Sequence, residues 1–248
     1  KKSSRPTQPT SIWRTSSNYA IGLVASIALL FIIYQPNINC WQADYCTAVG
    51  EIRTINLADG SQITLNSATA LSVTYTEQAR QVMLRQGEAL FEVQRNPAKP
   101  FVVAAQFSKI RVLGTRFIVR ENLDADRVSV MNGLVEVSRA QQKSTMLKAN
   151  DQIEVSQTQL GSIQHLVSEV TAPWVKGRLL FENVALSEVI TEINRYRRGK
   201  IVIQNSALKH LKVSGRFDIQ NTDKALQSLQ ETLPIKLYRL TPWLIVIS

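Results

Sequence analysis

The sequence predicts a mixed architecture: a single N-terminal transmembrane helix, an all-β domain built as an antiparallel sandwich or roll, and a small C-terminal α+β domain with a duplicated βαβ unit. Three observations predict it. Ser16 to Pro36 carries no charge, and within it Tyr19 to Tyr34 is apolar on every face. From about Gly50 to Val155, short runs alternate apolar and polar residues and are broken by turn residues. After Pro173 the period becomes helical, and the same strand–helix–strand pattern occurs twice.

The apolar stretch comes first. A helix of about 20 residues crosses a bilayer core of about 30 Å, and it satisfies its own backbone in lipid. Pro36 discourages its continuation. Lys1, Lys2, Arg5 and Arg14 precede the stretch and Asp44 is the first charge after it, so the positive-inside rule places the N-terminus in the cytoplasm. Trp13, Tyr34 and Trp41 suit the two interfaces. A signal peptide would need a small-x-small site, and Gln-Pro-Asn-Ile-Asn after Tyr34 offers none. The expected order is a cytoplasmic linker over 1–15, the helix over 16–36, a juxtamembrane collar over 37–49 and folded domains over 50–165 and 174–248. The opening KKSSRPTQPTS reads as a linker, and suggests either a cytoplasmic domain lost in front of it or a trimmed boundary.

Cys40 and Cys46 are the only cysteines. Outside the cytoplasm a close pair reads as a disulfide. A metal site is disfavoured, because His165 and His210 are distant in sequence and no carboxylate cluster joins them.

In the β region, Glu51–Leu57 and Gln62–Leu65 flank Ala-Asp-Gly, a hairpin signal. Runs at Leu71–Thr76, Gln81–Leu84, Ala89–Gln94, Phe101–Ala104, Lys109–Leu113, Thr115–Arg120, Arg127–Val130, Leu134–Ser138 and Gln152–Val155 follow. Between Asn37 and Pro173 there are 13 basic and 13 acidic residues, so this block has no attraction for nucleic acid. It contains no G-x-S-x-G, no phosphate-binding glycine loop and no paired-carboxylate motif, so no enzyme class and no cofactor is indicated. Gly114-Thr115 has two readings. It is a bulge or tight turn between strands, or a self-cleaving bond in which the Thr115 hydroxyl attacks the Gly114 carbonyl and the resulting ester hydrolyses.

In the last quarter, Leu186, Val189, Ile190 and Ile193 form one helical stripe. Phe181, Val189, Ile190 and Ile193 recur 36 residues later as Phe217, Ala225, Leu226 and Leu229. Thr222 is the expected cap of the second helix, over Asp223–Leu233. Strands are expected at Leu179–Phe181, Ile201–Ile203, Leu211–Phe217, Ile235–Leu240 and Trp243–Ile247. Trp174 to Ser248 holds 12 basic and 6 acidic residues. The excess concentrates at Arg195, Arg197, Arg198 and Lys200, a basic patch suited to an acidic protein partner. A partner could also add a strand to an exposed edge, either Ile201–Ile203 or Lys236–Leu240.

Gly50-Glu51, Leu57-Ala58-Asp59-Gly60-Ser61, Gly87-Glu88-Ala89-Leu90-Phe91-Glu92-Val93, Pro100-Phe101-Val102-Val103 and Val112-Leu113-Gly114-Thr115-Arg116-Phe117 stand in the order that resembles the FecR family. Trp174, then Gly177-Arg178-Leu179-Leu180-Phe181-Glu182-Asn183, continues the resemblance, and the terminal repeat looks like the short signalling domain of secretins and TonB-dependent receptors. The resemblance implies a single-pass inner-membrane anti-sigma regulator whose bulk is periplasmic. Its implied partners are the signalling domain of an outer-membrane TonB-dependent receptor loaded with an iron–siderophore complex, an extracytoplasmic-function sigma factor, and membrane proteases. In some members the bond matching Gly114-Thr115 breaks itself. The family's cytoplasmic sigma-binding domain is missing from this sequence. The alternative is a constitutive periplasmic adaptor, anchored in the inner membrane, that binds a secretin or another envelope assembly.

Overall fold

The computed structural model describes residues 38–139, 144–166 and 171–248. The stretch read as a transmembrane helix, 16–36, and the linker before it lie outside the described residues. No helix among those described is long and apolar enough to cross a membrane.

The chain begins with a single helical turn, Ile38–Trp41 (α1), which the Cys40–Cys46 disulfide ties to the first strand, with Cα atoms 5.7 Å apart. Fourteen strands follow: Tyr45–Cys46 (β1), Arg53–Asn56 (β2), Gln62–Leu65 (β3), Ala70–Tyr75 (β4), Arg80–Gln86 (β5), Glu88–Glu92 (β6), Phe101–Ala104 (β7), Lys109–Val112 (β8), Arg116–Arg120 (β9), Ala125–Asn132 (β10), Leu134–Ser138 (β11), Thr145–Lys148 (β12), Asp151–Ser156 (β13) and Gln164–His165 (β14). They form two seven-stranded sheets, β1-β4-β5-β7-β8-β11-β12 and β14-β13-β10-β9-β6-β3-β2.

One core lies between the two sheets, with the Phe91 and Phe117 rings stacked 5.0 Å apart and Phe101 edge-on to Phe91 at 6.2 Å. The alternating residues of each strand supply it. A buried cation sits at its margin. Arg80 donates to Asp59 at 2.5 Å and to the Lys99 and Gln94 carbonyls at 3.0 Å, and its guanidinium lies over the Phe101 ring. Burial opposes ionisation of Asp59, but bonds from Ser61, Arg80 and Tyr75 outweigh it and hold the carboxyl below its ordinary range.

The sandwich is not wholly antiparallel. β5 and β7 pair in parallel, because the strand between them, β6, crosses to the opposite sheet. β1, β12 and β14 were not expected. β1 and β14 have two residues each, too brief for a period-two pattern to register, and β12, Thr-Met-Leu-Lys, does not alternate.

After a 3-10 turn at Pro173–Lys176, the C-terminal part runs Arg178–Ala185 (β15), Leu186–Asn194 (α2), Lys200–Ile203 (β16), Lys212–Asp218 (β17), Thr222–Thr232 (α3), Leu237–Thr241 (β18) and Leu244–Ile247 (β19). The two repeats do not share one sheet. Their first strands pair antiparallel as β15-β17, and the remaining three form a separate sheet, β16-β19-β18, in which β16 and β19 run parallel. Val189, Ile190 and Ile193 of α2 and Ala225, Leu226 and Leu229 of α3 are all buried in one core. The cap of α3 is Asn221, whose side chain accepts from the Lys224 N–H at 3.2 Å, and Thr222 is the first helical residue.

Candidate functional site

The outer face of one sheet and a crossover between the two sheets carry the chemistry. On β6 and β9 the even-numbered residues point away from the sandwich core and stand opposite one another: Glu88 with Arg120, Leu90 with Ile118, and Glu92 with Arg116. Leu90 and Ile118 are buried not by the sandwich but by the C-terminal core, which includes Trp174, Ile190, Ile193 and Tyr196. Burying such side chains contributes about 1.5–3 kcal/mol each. The sequence carries the signal: Ala89-Leu90-Phe91 and Phe117-Ile118-Val119 are unbroken apolar runs, the mark of strands covered on both faces.

An ionic chain closes over this apolar contact. Arg195, just past the end of α2, places Nη1 2.7 Å from Glu88 Oε2 and 2.7 Å from Glu192 Oε1. Arg120 Nη1 reaches Glu192 Oε2 at 2.9 Å. Asn66 donates to Glu88 Oε2 and to the Tyr196 hydroxyl, both at 2.9 Å, and the Ser67 hydroxyl donates to the Arg195 carbonyl. Gly50 completes the seat, because a Cβ there would stand 3.1 Å from the Tyr196 carbonyl oxygen. Two guanidinium groups thus meet two carboxylates in a charge-balanced, largely buried chain. Burial alone would raise the Glu192 pKa, but Arg195 and Arg120 more than reverse this, and its carboxyl is held below its ordinary range. Burial chiefly pushes the Tyr196 phenol up, so it stays protonated.

This corrects the reading of Arg195 as part of a free basic patch: it is spent within the molecule. Arg197 lies largely buried, 4.0 Å from Asp223, and only Arg198 and Lys200 of that run are exposed. A run of closely spaced cations does not reveal which ones find an internal carboxylate. Of the two expected edge strands, Ile201 is buried and Ile203 half-buried, whereas Lys236 and Leu240 are exposed.

The Gly114-Thr115 bond lies where the chain passes from β8 in one sheet to β9 in the other. Asn96 N–H donates to the Leu113 carbonyl at 2.8 Å and Val93 N–H to the Thr115 carbonyl at 3.0 Å, which pins both sides of the bond. A Cβ on residue 114 would come within 2.6 Å of the Arg95 backbone, so only glycine fits. Gly133, in the reverse crossover from β10 to β11, has φ +90°, and a Cβ there would lie 2.5 Å from Thr115 Cγ2. Thr115 is thereby clamped, and its Oγ1 is buried with no hydrogen-bond partner among the described residues. A cavity of about 480 Å³ opens beside it, lined by Arg95, Arg111, Leu113, Leu134, Glu136 and Met146. An unpaired buried hydroxyl costs about 1–3 kcal/mol.

Two outcomes are expected. Arg195→Met should destabilise the chain by about 3 kcal/mol, since it leaves Glu88 buried without its cation and Glu192 with Arg120 alone; urea unfolding measures this. Because Glu192 is lowered in the folded state, its contribution is complete above the unfolded carboxylate range, about pH 4.3, and is lost as pH falls through the lower folded value. The wild type should therefore weaken in acid more steeply than Glu192→Gln. Thr115→Val, which removes the unpaired hydroxyl at nearly constant shape, should raise stability by about 1 kcal/mol in the same assay.

Two FecR family profiles match the chain: "FecR protein" over residues 43–136 and "FecR, C-terminal" over residues 178–242. No curated protein matches it. Two crystal structures of a candidate anti-sigma factor from Parabacteroides distasonis, at 1.65 and 2.50 Å, are similar to it. Both are 28% identical and cover 82% of this chain; the TM-scores are 0.68 and 0.67, over 97% and 96% of the respective solved chains. The two profiles together cover most of both folded parts, including Glu88, Arg120, Glu192 and Arg195, and the chain belongs to the FecR family of signalling regulators.

Proposed function

We propose that this chain relays the loading of an outer-membrane TonB-dependent receptor with an iron–siderophore complex to an extracytoplasmic-function sigma factor. It does so as a single-pass inner-membrane protein whose described residues face the periplasm. Family membership and the likeness to a candidate anti-sigma factor support the regulator and its sigma-factor partner. The observation that carries the relay is the ionic chain Glu88–Arg195–Glu192–Arg120, which fastens the C-terminal part to the sandwich. A partner that docks on or pulls the C-terminal part therefore acts directly on β9, which follows the Gly114-Thr115 crossover, and on β6, which pairs with β9.

That crossover is the second working part. Thr115 Oγ attacks the Gly114 carbonyl carbon, the C–N bond breaks, and the hydroxyl proton passes to nitrogen. This leaves an ester and a free Thr115 amine. Water then hydrolyses the ester, giving the Gly114 carboxylate and restoring the Thr115 hydroxyl. The buried, unpaired state of that hydroxyl favours this reading over a simple turn. Scission would leave β1 to β8 on one fragment and β9 to β19 on the other, yet both sheets contain strands of both fragments. The β6–β9 and β8–β11 ladders, the shared core and the Glu88–Arg195 pair would hold the pieces together until force separates them. Membrane proteases would then act on the freed membrane-linked piece.

Denaturing mass measurement of the full chain, purified in detergent, tests the cleavage. The wild type should give two fragments split between Gly114 and Thr115, and Thr115→Ala one intact chain; an intact wild type returns the junction to a turn. A sigma-dependent reporter tests the relay. Its output should change at least several-fold when the iron complex is supplied to cells in which this chain follows a cytoplasmic sigma-binding domain of the family. It should not respond with a chain ending at residue 173. An output in wild-type cells that ignores the iron complex would sink the relay and favour a constitutive adaptor.

A further inference from the structure

The three-stranded sheet β16-β19-β18 has two edges, and they differ. Along β16, the N–H groups of Lys200 and Gln204 donate to Trp243 and Ile247 on the β19 side. In a parallel ladder the intervening residues, Ile201 and Ile203, then turn their backbone groups to the open side. At Ile201 that side is already filled. The Asn194 side chain accepts from the Ile201 N–H at 2.8 Å and donates to the Ile201 carbonyl at 3.0 Å, as a neighbouring strand would. The last residue of α2 thus blocks this edge.

The β18 edge has no such block. Lys236 and Ser248 exchange both backbone hydrogen bonds, so by antiparallel alternation Tyr238 faces Val246 in the next bonded pair. Leu237 and Arg239 then direct N–H and C=O away from the sheet, and among the described residues nothing pairs with them. The outward face beside this edge is apolar. Val202, Val246 and Tyr238 stand in one cross-strand row, with Tyr238 48% exposed and Val202 40%. Lys200 and Lys236 bracket the row on the same face, and neither has a carboxylate within ion-pair distance among the described residues. Open, apolar edges of this kind are normally protected in soluble proteins, and here one edge of the same sheet is protected while the other is left free.

The geometry points to β18, and not β16, as a strand-addition site for an extended segment of a partner protein that carries, on one face, an apolar residue opposite Tyr238 and a carboxylate two positions away opposite Lys236. Backbone pairing with Leu237 and Arg239 supplies affinity. An apolar side chain extends the Val202–Val246–Tyr238 row, and a carboxylate two positions away on the same face meets Lys236. Identifying that partner with a receptor signalling domain rests on the function proposed above; the surface does not.

Hydrogen–deuterium exchange on the full chain in detergent micelles tests this with three probes: the acidic heptapeptide Thr-Glu-Thr-Val-Thr-Glu-Thr, which carries valine and glutamate on one face, its basic counterpart with lysine for glutamate, and a purified TonB-dependent receptor signalling domain. The acidic peptide should slow exchange across residues 236–241 at least five-fold and leave 200–204 unchanged, and the basic peptide should do neither. Arg239→Pro removes one outward N–H at an edge where proline is tolerated. It should abolish the protection while the melting temperature and exchange in β19 stay as in the wild type. Asn194→Ala should let the acidic peptide protect 200–204 as well. Protection of neither edge, or of both equally in the wild type, overturns the inference. A receptor domain that protects 195–200 instead of 236–241 also overturns it and leaves the relay standing. Peptide protection without any receptor-domain binding upholds the surface and removes the proposed partner.

Discussion

The contact between β6–β9 and the segment following α2 is the constraint on which the rest of the structure depends. Its centre is the apolar pair Leu90 and Ile118, and its rim is the chain Glu88–Arg195–Glu192–Arg120. A buried ion pair adds little net stability compared with apolar packing of the same shape, because both charges lose their water. What it adds is geometry. Each carboxylate accepts only where a guanidinium is placed, so the C-terminal part sits on the sandwich in one orientation. The Asn66–Tyr196 bond and the Ser67 bond to the Arg195 carbonyl fix the same orientation from the opposite side.

That arrangement gives the crossover its place. β6 and β9 carry the contact on their outer face, and β9 begins one residue after Thr115. The contact with the C-terminal part thus lies within one strand of the Gly114-Thr115 bond. Arg95 approaches Gly114 closely, as Gly133 does Thr115. The packing at this position is close, yet the hydroxyl within it has no hydrogen-bond partner among the described residues.

Much of the sandwich was legible in the sequence. Gln62–Leu65, Phe101–Ala104 and Leu134–Ser138 begin and end where their alternation does, because period two directly reports a face buried against a core. The helical stripes of α2 and α3 were legible for the same reason, at period 3.6. The parallel pairing of β5 with β7 was not. Alternation within a strand states which face is buried and says nothing about which strand lies beside it. The role of Arg195 was hidden for a related reason, since its partner Glu88 lies 107 positions away in the sequence.

By itself, the sequence determined the local periods, the turn positions, the repeat that builds the C-terminal part, and the place of the glycine–threonine step between two strands. These are encoded by neighbouring residues, whose sterics and burial act within a few positions. The tertiary structure alone decided which cation of Arg195, Arg197, Arg198 and Lys200 is locked inside, and which edge of the last sheet stays open. Both depend on groups distant in sequence or on another element, Glu88 in the first case and Asn194 of α2 in the second. Hydrogen bonds and ion pairs act over about 3 Å, and only folding brings such groups within that range.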